Sequence, residues 1–321
     1  MKFLITGANG FVGKSLCAEL LRQGQFVCAT VRTVDSSLEN IEVAMIGSIN
    51  GETNWTAALR GVDVVIHLAA RVHVMKEAAT DPLAEFLDVN LHGTENLARQ
   101  AARAGVKRLV YVSSIKVNGE RTGETELFTE LDKPNPQDPY AVSKCEAEQA
   151  LQRIAQETNL EVVIVRPPLV YGPGVKGNFI SFLAAIDKGV PLPLASANNA
   201  RSLVYVGNLV DALIACATHP AAAGQTYLVS DGEDVSTAVL VEKIARALGR
   251  NNRSFHFPPA LLRAVATLAG RSEQIDRLFG SLRVSNEKIC GELSWSPSYT
   301  LDQGLRATAD WYRDEQNRSM P

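Results

Sequence analysis

Near the N-terminus Lys2-Phe3-Leu4-Ile5-Thr6 runs into Gly7-Ala8-Asn9-Gly10-Phe11-Val12-Gly13, and then into Lys14-Ser15-Leu16-Cys17-Ala18-Glu19-Leu20-Leu21-Arg22. An apolar run of strand length, three glycines at spacing three and a helical apolar period predict a strand, a tight turn and a helix in that order. The glycines have separate geometrical uses. Gly7 permits the turn out of the strand, Gly10 lets the backbone approach a pyrophosphate, and Gly13 lets the helix pack close to the sheet. The helix N-terminus adds free N–H groups and partial positive charge, so the stretch fits the phosphates of a dinucleotide. Glycine triplets also serve as purely structural turns. The strand before this one and the helix after it favour the binding reading.

A second strand over residues 26–31 follows the Gly24 helix stop and ends at Arg32. An acidic residue at this strand end bonds the ribose 2′-hydroxyl of NAD, whereas arginine accommodates a 2′-phosphate. Arg32 therefore leans the cofactor toward NADP(H), the alternative being a solvated arginine with Asp35 at the ribose of NAD(H). Residues 42–46 read as a third strand and residues 62–70 as a fourth, whose continuous apolar run fits burial on both faces of a parallel sheet. At its end Leu68, Ala69 and Ala70 leave room for the cofactor. His67 reads as a packed core histidine, and His73 in the next loop as the one facing the cleft.

Asp81-Pro82 is a helix start, with a side-chain cap and proline in the first turn. Leu83, Phe86, Leu87, Leu91, Thr94, Leu97, Ala98 and Ala101 then hold one face until Gly105. Asn90 interrupts that face and needs partners if buried: it bonds neighbouring backbone or helps organise the site. Residues 107–112 form a fifth strand that delivers Ser113-Ser114 to the carboxyl edge of the sheet, where ligands bind in open α/β folds. Asp138-Pro139 starts another helix carrying Tyr140 and Lys144, four apart and on one face. A tyrosine pKa of about 10 is too high for easy proton exchange at neutral pH. A nearby ammonium is expected to lower it. Ser114 can then donate to a substrate oxygen while Tyr140 gives or takes its proton and hydride moves between carbon and a nicotinamide.

The 321 residues carry a net charge of −3, with no basic stripe, which argues against nucleic acid as the main partner. Cys17, Cys28, Cys145, Cys216 and Cys290 are scattered and odd in number, against a disulfide framework or a metal site. No secretory signal and no long apolar run is present, so a soluble, cytoplasmic protein is expected. The second half predicts a helix from about Phe179, strands over 202–206 and 226–230, a helix through Asp211 and Ala217, a helix capped by Ser236, and a last helix on Leu301, Leu305, Thr308 and Trp311. The expected fold is α/β: a Rossmann-type doubly wound parallel sheet with a smaller mixed α/β C-terminal substrate lobe. The division is residues 1–167 and 168–321, allowing segments of the second part to return to the first.

Taken in order, G-A-N-G-F-V-G at 7–13, H-L-A-A at 67–70, V-S-S at 112–114, Y-A-V-S-K at 140–144, R-P-P-L-V-Y-G-P at 166–173 and R-S-L-V-Y-V-G-N-L-V-D-A at 201–212 span nearly the whole chain. With these motifs the chain resembles the extended short-chain dehydrogenase/reductase family, in its nucleotide-sugar epimerase, dehydratase and reductase branch. The resemblance implies that Ser114, Tyr140 and Lys144 form the catalytic triad, with Lys144 also holding the nicotinamide ribose. It implies nicotinamide contacts from the segment between Pro167 and Val170. It further implies UDP-sugar contacts from Lys116, from Asn178-Phe179, from Arg201 and from Arg277 or Arg283, and a homodimer through the helices beginning near Pro82 and Pro139.

Two residues depart from the family pattern: Arg32, where an acidic residue is usual, and Asn118, where tyrosine often stands. Arg32 favours an NAD(P)H-dependent 4-ketoreductase acting on a UDP-4-keto-6-deoxy-N-acetylhexosamine in bacterial surface-polysaccharide synthesis. The alternative is an NAD-retaining UDP-sugar 4-epimerase, and more remotely a non-catalytic NAD(P) sensor. Ser281-Leu282 aligns with a bulky aromatic of some epimerases and is expected to leave room for an acetamido group.

Overall fold

Strands whose two faces are both covered by helices are apolar along most of their length, and this governs the first half of the chain. The computed structural model describes residues 1–32, 41–72, 81–123, 125–268, 276 and 278–318. Its strands are β1 (Lys2–Thr6), β2 (Phe26–Val31), β3 (Glu42–Met45), β4 (Val64–His67), β5 (Arg108–Val112) and β6 (Glu161–Arg166). They continue with β7 (Leu169–Tyr171), β8 (Arg201–Tyr205), β9 (Thr226–Leu228) and β10 (Asp234–Val235). A seven-stranded parallel sheet has the order β3-β2-β1-β4-β5-β6-β9, and a second sheet has the order β10-β8-β7. In the small sheet β8 runs parallel to β7 and antiparallel to β10. The order reverses between β1 and β4, the point at which a doubly wound sheet opens a crevice at its carboxyl ends.

The helices are α1 (Phe11–Arg22), α2 (Pro82–Leu87), α3 (Gly93–Arg103), α4 (Pro139–Glu157), α5 (Asn178–Asp187), α6 (Val206–Thr218), α7 (Thr237–Ala247), α8 (Pro259–Leu268), α9 (Glu287–Leu293) and α10 (Leu301–Arg318). Alternate strand residues feed two cores. Phe3, Ile5, Val64, Ile66, Val110, Val163 and Val165 face α1, α6 and α9, through Leu16, Leu213 and Ile289 among others. Leu4, Val65, Leu109, Tyr111, Val162 and Ile164 face α3 and α4, through Leu97, Ala101, Leu151 and Ile154. A third core joins the small sheet to α5, α7 and α10 through Tyr171, Leu183, Leu203, Ile244 and Leu305. Although β9 lies late in the chain, it pairs with β6 and so closes the large sheet.

Two sequence readings change. The fourth strand is shorter than its apolar run: Leu68, Ala69 and Ala70 have left the ladder and are half-buried at its end. The helix begun at Pro82 does not hold one continuous face, because a π-turn over Asp88–His92 separates α2 from α3. One extra residue in the turn rotates the register. Leu83 is consequently 37% exposed, while Phe86, Asn90, Thr94, Leu97 and Ala101 face inward.

Among the described glycines, the one at the start of α1 leaves least room for a side chain. A Cβ on Gly13 would stand 2.2 Å from the Gly7 carbonyl oxygen and 2.7 Å from the Ala8 Cα. Gly13→Ala must therefore push α1 away from the loop, and the expected loss is on the order of 2 kcal/mol of stability together with weaker dinucleotide binding. Thermal unfolding and a NADH fluorescence titration check this, and wild-type values in both would contradict it.

Candidate active site

Gly7 adopts φ +69°, which only glycine tolerates cheaply, and the Gly10 N–H donates to its carbonyl at 2.9 Å to close the turn. Gly10 caps α1 without any side-chain bond, so the first turn of the helix presents backbone donors to the crevice. Asn9 is exposed at the tip, with Phe11 and Val12 half-buried behind it. Across the crevice the Thr6 hydroxyl oxygen accepts from the Leu68 and Ala69 N–H groups, both at 3.1 Å, and ties the ends of β1 and β4 together. Any Cβ on Gly7 would stand 3.0 Å from the Ala69 nitrogen. A bare, narrow cradle at a helix N-terminus fits a pyrophosphate. Arg32 is exposed at the end of β2. Asp35 and His73 lie outside the described residues.

His67 is fully buried, bonded to the Thr6 hydroxyl at 2.6 Å through Nδ1 and to the Thr94 hydroxyl at 2.9 Å through Nε2. Burial, and then the Lys144 charge, lower its pKa to about 3. It is a neutral core residue, as its place in the apolar run implies. Asn90 is spent on neighbours: its amide accepts from the Arg71 N–H at 2.8 Å and donates to the Arg71 carbonyl at 3.0 Å and to the Ser143 hydroxyl at 2.9 Å.

The structure brings Ser114, Tyr140 and Lys144 together. Ser114 stands just beyond the end of β5 and caps a 3₁₀ turn over Ile115–Val117, its hydroxyl oxygen accepting from the Lys116 N–H at 3.3 Å. Tyr140 stands in the first turn of α4, whose cap Asp138 accepts from the Ala141 N–H at 2.7 Å. The Ser114 hydroxyl lies near enough to the Tyr140 hydroxyl to favour its ionised form, and the Tyr140 ring meets Phe86 edge-on with 6.1 Å between centroids. One turn along α4, Lys144 is 2% exposed and donates to the Val112 carbonyl at 2.8 Å. Its Nζ lies 4.5 Å from the Tyr111 ring centroid and 5.9 Å from that of Tyr140.

The expected lowering of the Tyr140 pKa is not what the free chain has. Burial, and then Asp138, push it up to about 12, against the lowering influence of the nearby Ser114 hydroxyl. The lysine is drawn toward the Val112 carbonyl, so its charge acts weakly on the phenol. Burial lowers Lys144 itself to about 7, with Glu148 pulling the other way. Without a ligand the centre holds a neutral phenol beside an ammonium that titrates near neutrality.

The remaining predicted residues are distributed differently. Lys116 is tied to Glu120 at 2.9 Å and to Asp138, bridging the Ser114 turn and the start of α4. Pro167 is buried and its carbonyl accepts from the Ile115 N–H at 3.0 Å, and Val170 packs on the first core. Asn178 is exposed at the start of α5, whereas Phe179 is buried and stacked on Tyr171. Arg201 donates to the Gly280 carbonyl at 3.0 Å, and Arg283 pairs with Asp234 at 2.8 Å. Both stand where residues 281–283 run alongside β8, with Arg201 bridged to Leu282. Arg277 lies outside the described residues.

Asn118, where the chain departs from the family pattern, is 2% exposed and turned into the protein, accepting from Arg166 and donating to the Thr129 carbonyl. One further expectation is corrected. Leu282 is buried with Ile115, Leu228 and Val284, and the Ser281 hydroxyl bonds the Ala200 N–H. The pair is structural where extra room was expected.

Sequence reasoning missed Thr6, Thr94, Phe86, Ser143, Glu148 and Arg166, all of which touch the residues just described. For Glu148 a signal existed: Tyr140, Lys144 and Glu148 recur every four residues on one helix. For the others the contacts join distant segments and leave no local pattern. Among the described residues no cluster suited to a metal ion is found, and no helix is long and apolar enough to cross a membrane.

Because the folded pKa of Lys144 lies below its ordinary 10.5, the unfolded chain binds more protons between about pH 7 and that value, and stability rises with pH across the window. Lys144→Met removes the buried charge. It should raise the Tm of the cofactor-free protein at about pH 6, with a gain that shrinks toward pH 10. Thermal scans at several pH values check this, and a pH-independent difference would contradict it.

Residues 3–230 match the NAD dependent epimerase/dehydratase family. A UDP-glucose 4-epimerase of Vibrio cholerae is 42% identical over 317 residues, covering 98% of this chain and 96% of that protein. An N-acetyl-alpha-D-glucosaminyl-diphospho-ditrans,octacis-undecaprenol 4-epimerase of Escherichia coli O157:H7 is 26% identical, covering 96% and 94%. The structure of a Thermus thermophilus UDP-glucose 4-epimerase complexed with NAD superposes with a TM-score of 0.79 at 26% identity, covering 98% of this chain and 99% of that one. With its glycine cradle, its Ser114–Tyr140–Lys144 centre and this similarity along its length, the chain belongs to the NAD-dependent epimerase/dehydratase family, the extended short-chain dehydrogenase/reductases.

Proposed function

We propose that the protein is an NAD-dependent UDP-hexose 4-epimerase. The observation that carries this is the 42% identity, along nearly the whole of both chains, to the Vibrio cholerae UDP-glucose 4-epimerase. It outweighs the ketoreductase expectation, which rested chiefly on Arg32. NAD, when bound, supplies the acceptor and donor of hydride and a positive charge beside the phenol.

The chain's own residues do the rest in this reading. Backbone donors of the Gly7–Gly13 cradle bind the pyrophosphate of the cofactor, and Lys144 holds its ribose. Ser114 donates to the oxygen on C4 of the sugar. Tyr140 removes the proton from that oxygen as hydride leaves C4, and returns it after the ketone has turned its other face. To take that proton Tyr140 must act as its phenolate, which the Lys144 ammonium and the positive charge supplied with the cofactor would favour; the raised pKa of the phenol suits the proton-returning half of the cycle. Arg201 and Arg283, on neighbouring segments beside the small sheet, bind the UDP diphosphate, and the part of the chain after residue 167 forms the substrate lobe, except α6, β9 and α9, which return to the large sheet. A homodimer through α2, α3 and α4 belongs to the same proposal.

A second reading keeps the 4-ketoreductase of a UDP-4-keto-6-deoxy-N-acetylhexosamine, favoured by the exposed Arg32 at the end of β2, where a 2′-phosphate would stand. The Escherichia coli relative named for an N-acetylglucosaminyl lipid keeps an acetamido sugar and a surface-polysaccharide role within reach of either reading.

Purified enzyme with UDP-glucose or UDP-N-acetylglucosamine, followed by proton NMR, should give the C4 epimer without added cofactor, and denaturation should release NAD. Tyr140→Phe should lower turnover at least a hundredfold while leaving NAD bound. Stoichiometric consumption of NADPH with a 4-keto sugar, and no epimer from UDP-hexoses, would replace the epimerase by the reductase.

A further inference from the structure

Glu148 on α4 and Arg166 at the end of β6 are 3% and 5% exposed, and the proposed chemistry uses neither. Arg166 grips the carboxylate with two prongs, Nε to Oε1 at 2.9 Å and Nη2 to Oε2 at 2.5 Å. The Ser113 hydroxyl also donates to Oε1. Arg166 Nη1 donates to the Asn118 side-chain oxygen Oδ1 at 2.9 Å, and Asn118 Nδ2 donates to the Thr129 carbonyl at 2.8 Å. A packed apolar pair often stabilises a core as well as a buried ion pair does. Stability alone therefore gives little account of this one.

Its bonds join the three segments that carry the reacting groups. Ser113 precedes Ser114, and its N–H donates to the Val165 carbonyl at 2.8 Å. Asn118 closes the 3₁₀ turn that Ser114 opens. Arg166 precedes Pro167, and Glu148 follows Lys144 by one helical turn on the helix of Tyr140. We infer that the Glu148–Arg166 pair is a positioning device for the reacting centre: it locks the Ser114 turn, the Tyr140–Lys144 face of α4 and the Pro167 segment into one block, and sets a carboxylate beside the buried ammonium of Lys144. The inference rests on the reading of Lys144 as the group that holds the cofactor ribose.

The charged and titratable groups around Lys144 are Tyr140 and Glu148 on its own helix, Tyr111 on β5, neutral His67 on β4, and Arg166 on β6 behind Glu148. Of these, Glu148 is the anion that favours the charged form of Lys144. Removing its charge should make the lysine lose its proton at lower pH.

The test uses the full chain, and its binding measurements need no sugar. NADH binding is followed by nucleotide fluorescence across the pH range for wild type, E148Q and the uncharged pair E148Q/R166M, with thermal unfolding of each. Wild-type affinity should fall as pH rises through the titration of Lys144. E148Q should move that inflection down by about one pH unit. The double variant should recover Tm and keep the lowered inflection, and it decides alone if E148Q does not fold. In sugar turnover kcat should fall about tenfold in both variants with KM little changed. An inflection that stays in place in the folded variants, or wild-type binding that does not vary with pH, would overturn the inference. A wild type that binds NADH with the expected pH dependence but leaves UDP-hexoses unchanged would defeat the epimerase reading and not this one.

Discussion

A lysine ammonium at 2% exposure is the constraint around which this active site is built. A charge taken out of water needs compensation from fixed dipoles and counter-charges, or it is lost. Lys144 receives the Val112 carbonyl, the face of the Tyr111 ring and the Glu148 carboxylate one turn away. Each of these comes from an element that must itself be held in register. The carbonyl belongs to the end of β5, the ring stacks on His67 of β4, and the carboxylate is gripped from β6. Three neighbouring strands and one helix thus converge on a single side chain.

The sheet explains why that convergence occurs at its carboxyl edge. Both faces of β1, β4, β5 and β6 are covered by helices, so the strand interiors are apolar and polar chemistry is confined to their ends. At those ends stand the glycine cradle after β1, the Leu68–Ala70 segment after β4, Ser114 after β5 and Pro167 after β6. The close approach of Gly13 to Gly7 and the Thr6 bonds to Leu68 and Ala69 bring the first two together. The Ile115 bond to Pro167 joins the last two.

Local pattern made much of this legible. The strand, glycine turn and helix, the Asp-Pro starts at residues 81 and 138, and the four-residue spacing of Tyr140 and Lys144 are signals written in neighbouring residues. Legibility ended where a property depends on residues far apart. The π-turn at Asp88–His92 has no spacing signature, so a regular helical period hides the inward turn of Asn90 and the exposure of Leu83. The Tyr140 pKa departs from its expected direction because spacing gives neighbours but not burial, and burial dominates. Ser281-Leu282 reads as a pair that leaves room beside the sugar, since sequence cannot tell which side of a loop is covered. Arg32 has a similar limit: one side chain at the end of β2 favours the reductase within the family, whereas similarity along nearly the whole chain favours the epimerase.

In this account the fold holds a proton-transferring phenol, a hydroxyl donor and a buried cation in one rigid block, and the same block serves removal and return of a hydride at one carbon. The most direct measurement follows the hydrogen itself. UDP-glucose deuterated at C4 is incubated with the enzyme in the presence of free unlabelled NADH, and product and nucleotide are analysed by NMR and mass spectrometry. A closed epimerase cycle gives UDP-galactose that retains deuterium at C4, with none in the free nucleotide pool. Deuterium appearing in free nucleotide, or product carrying hydrogen from the added NADH, would contradict such a cycle and point to a net oxidoreductase.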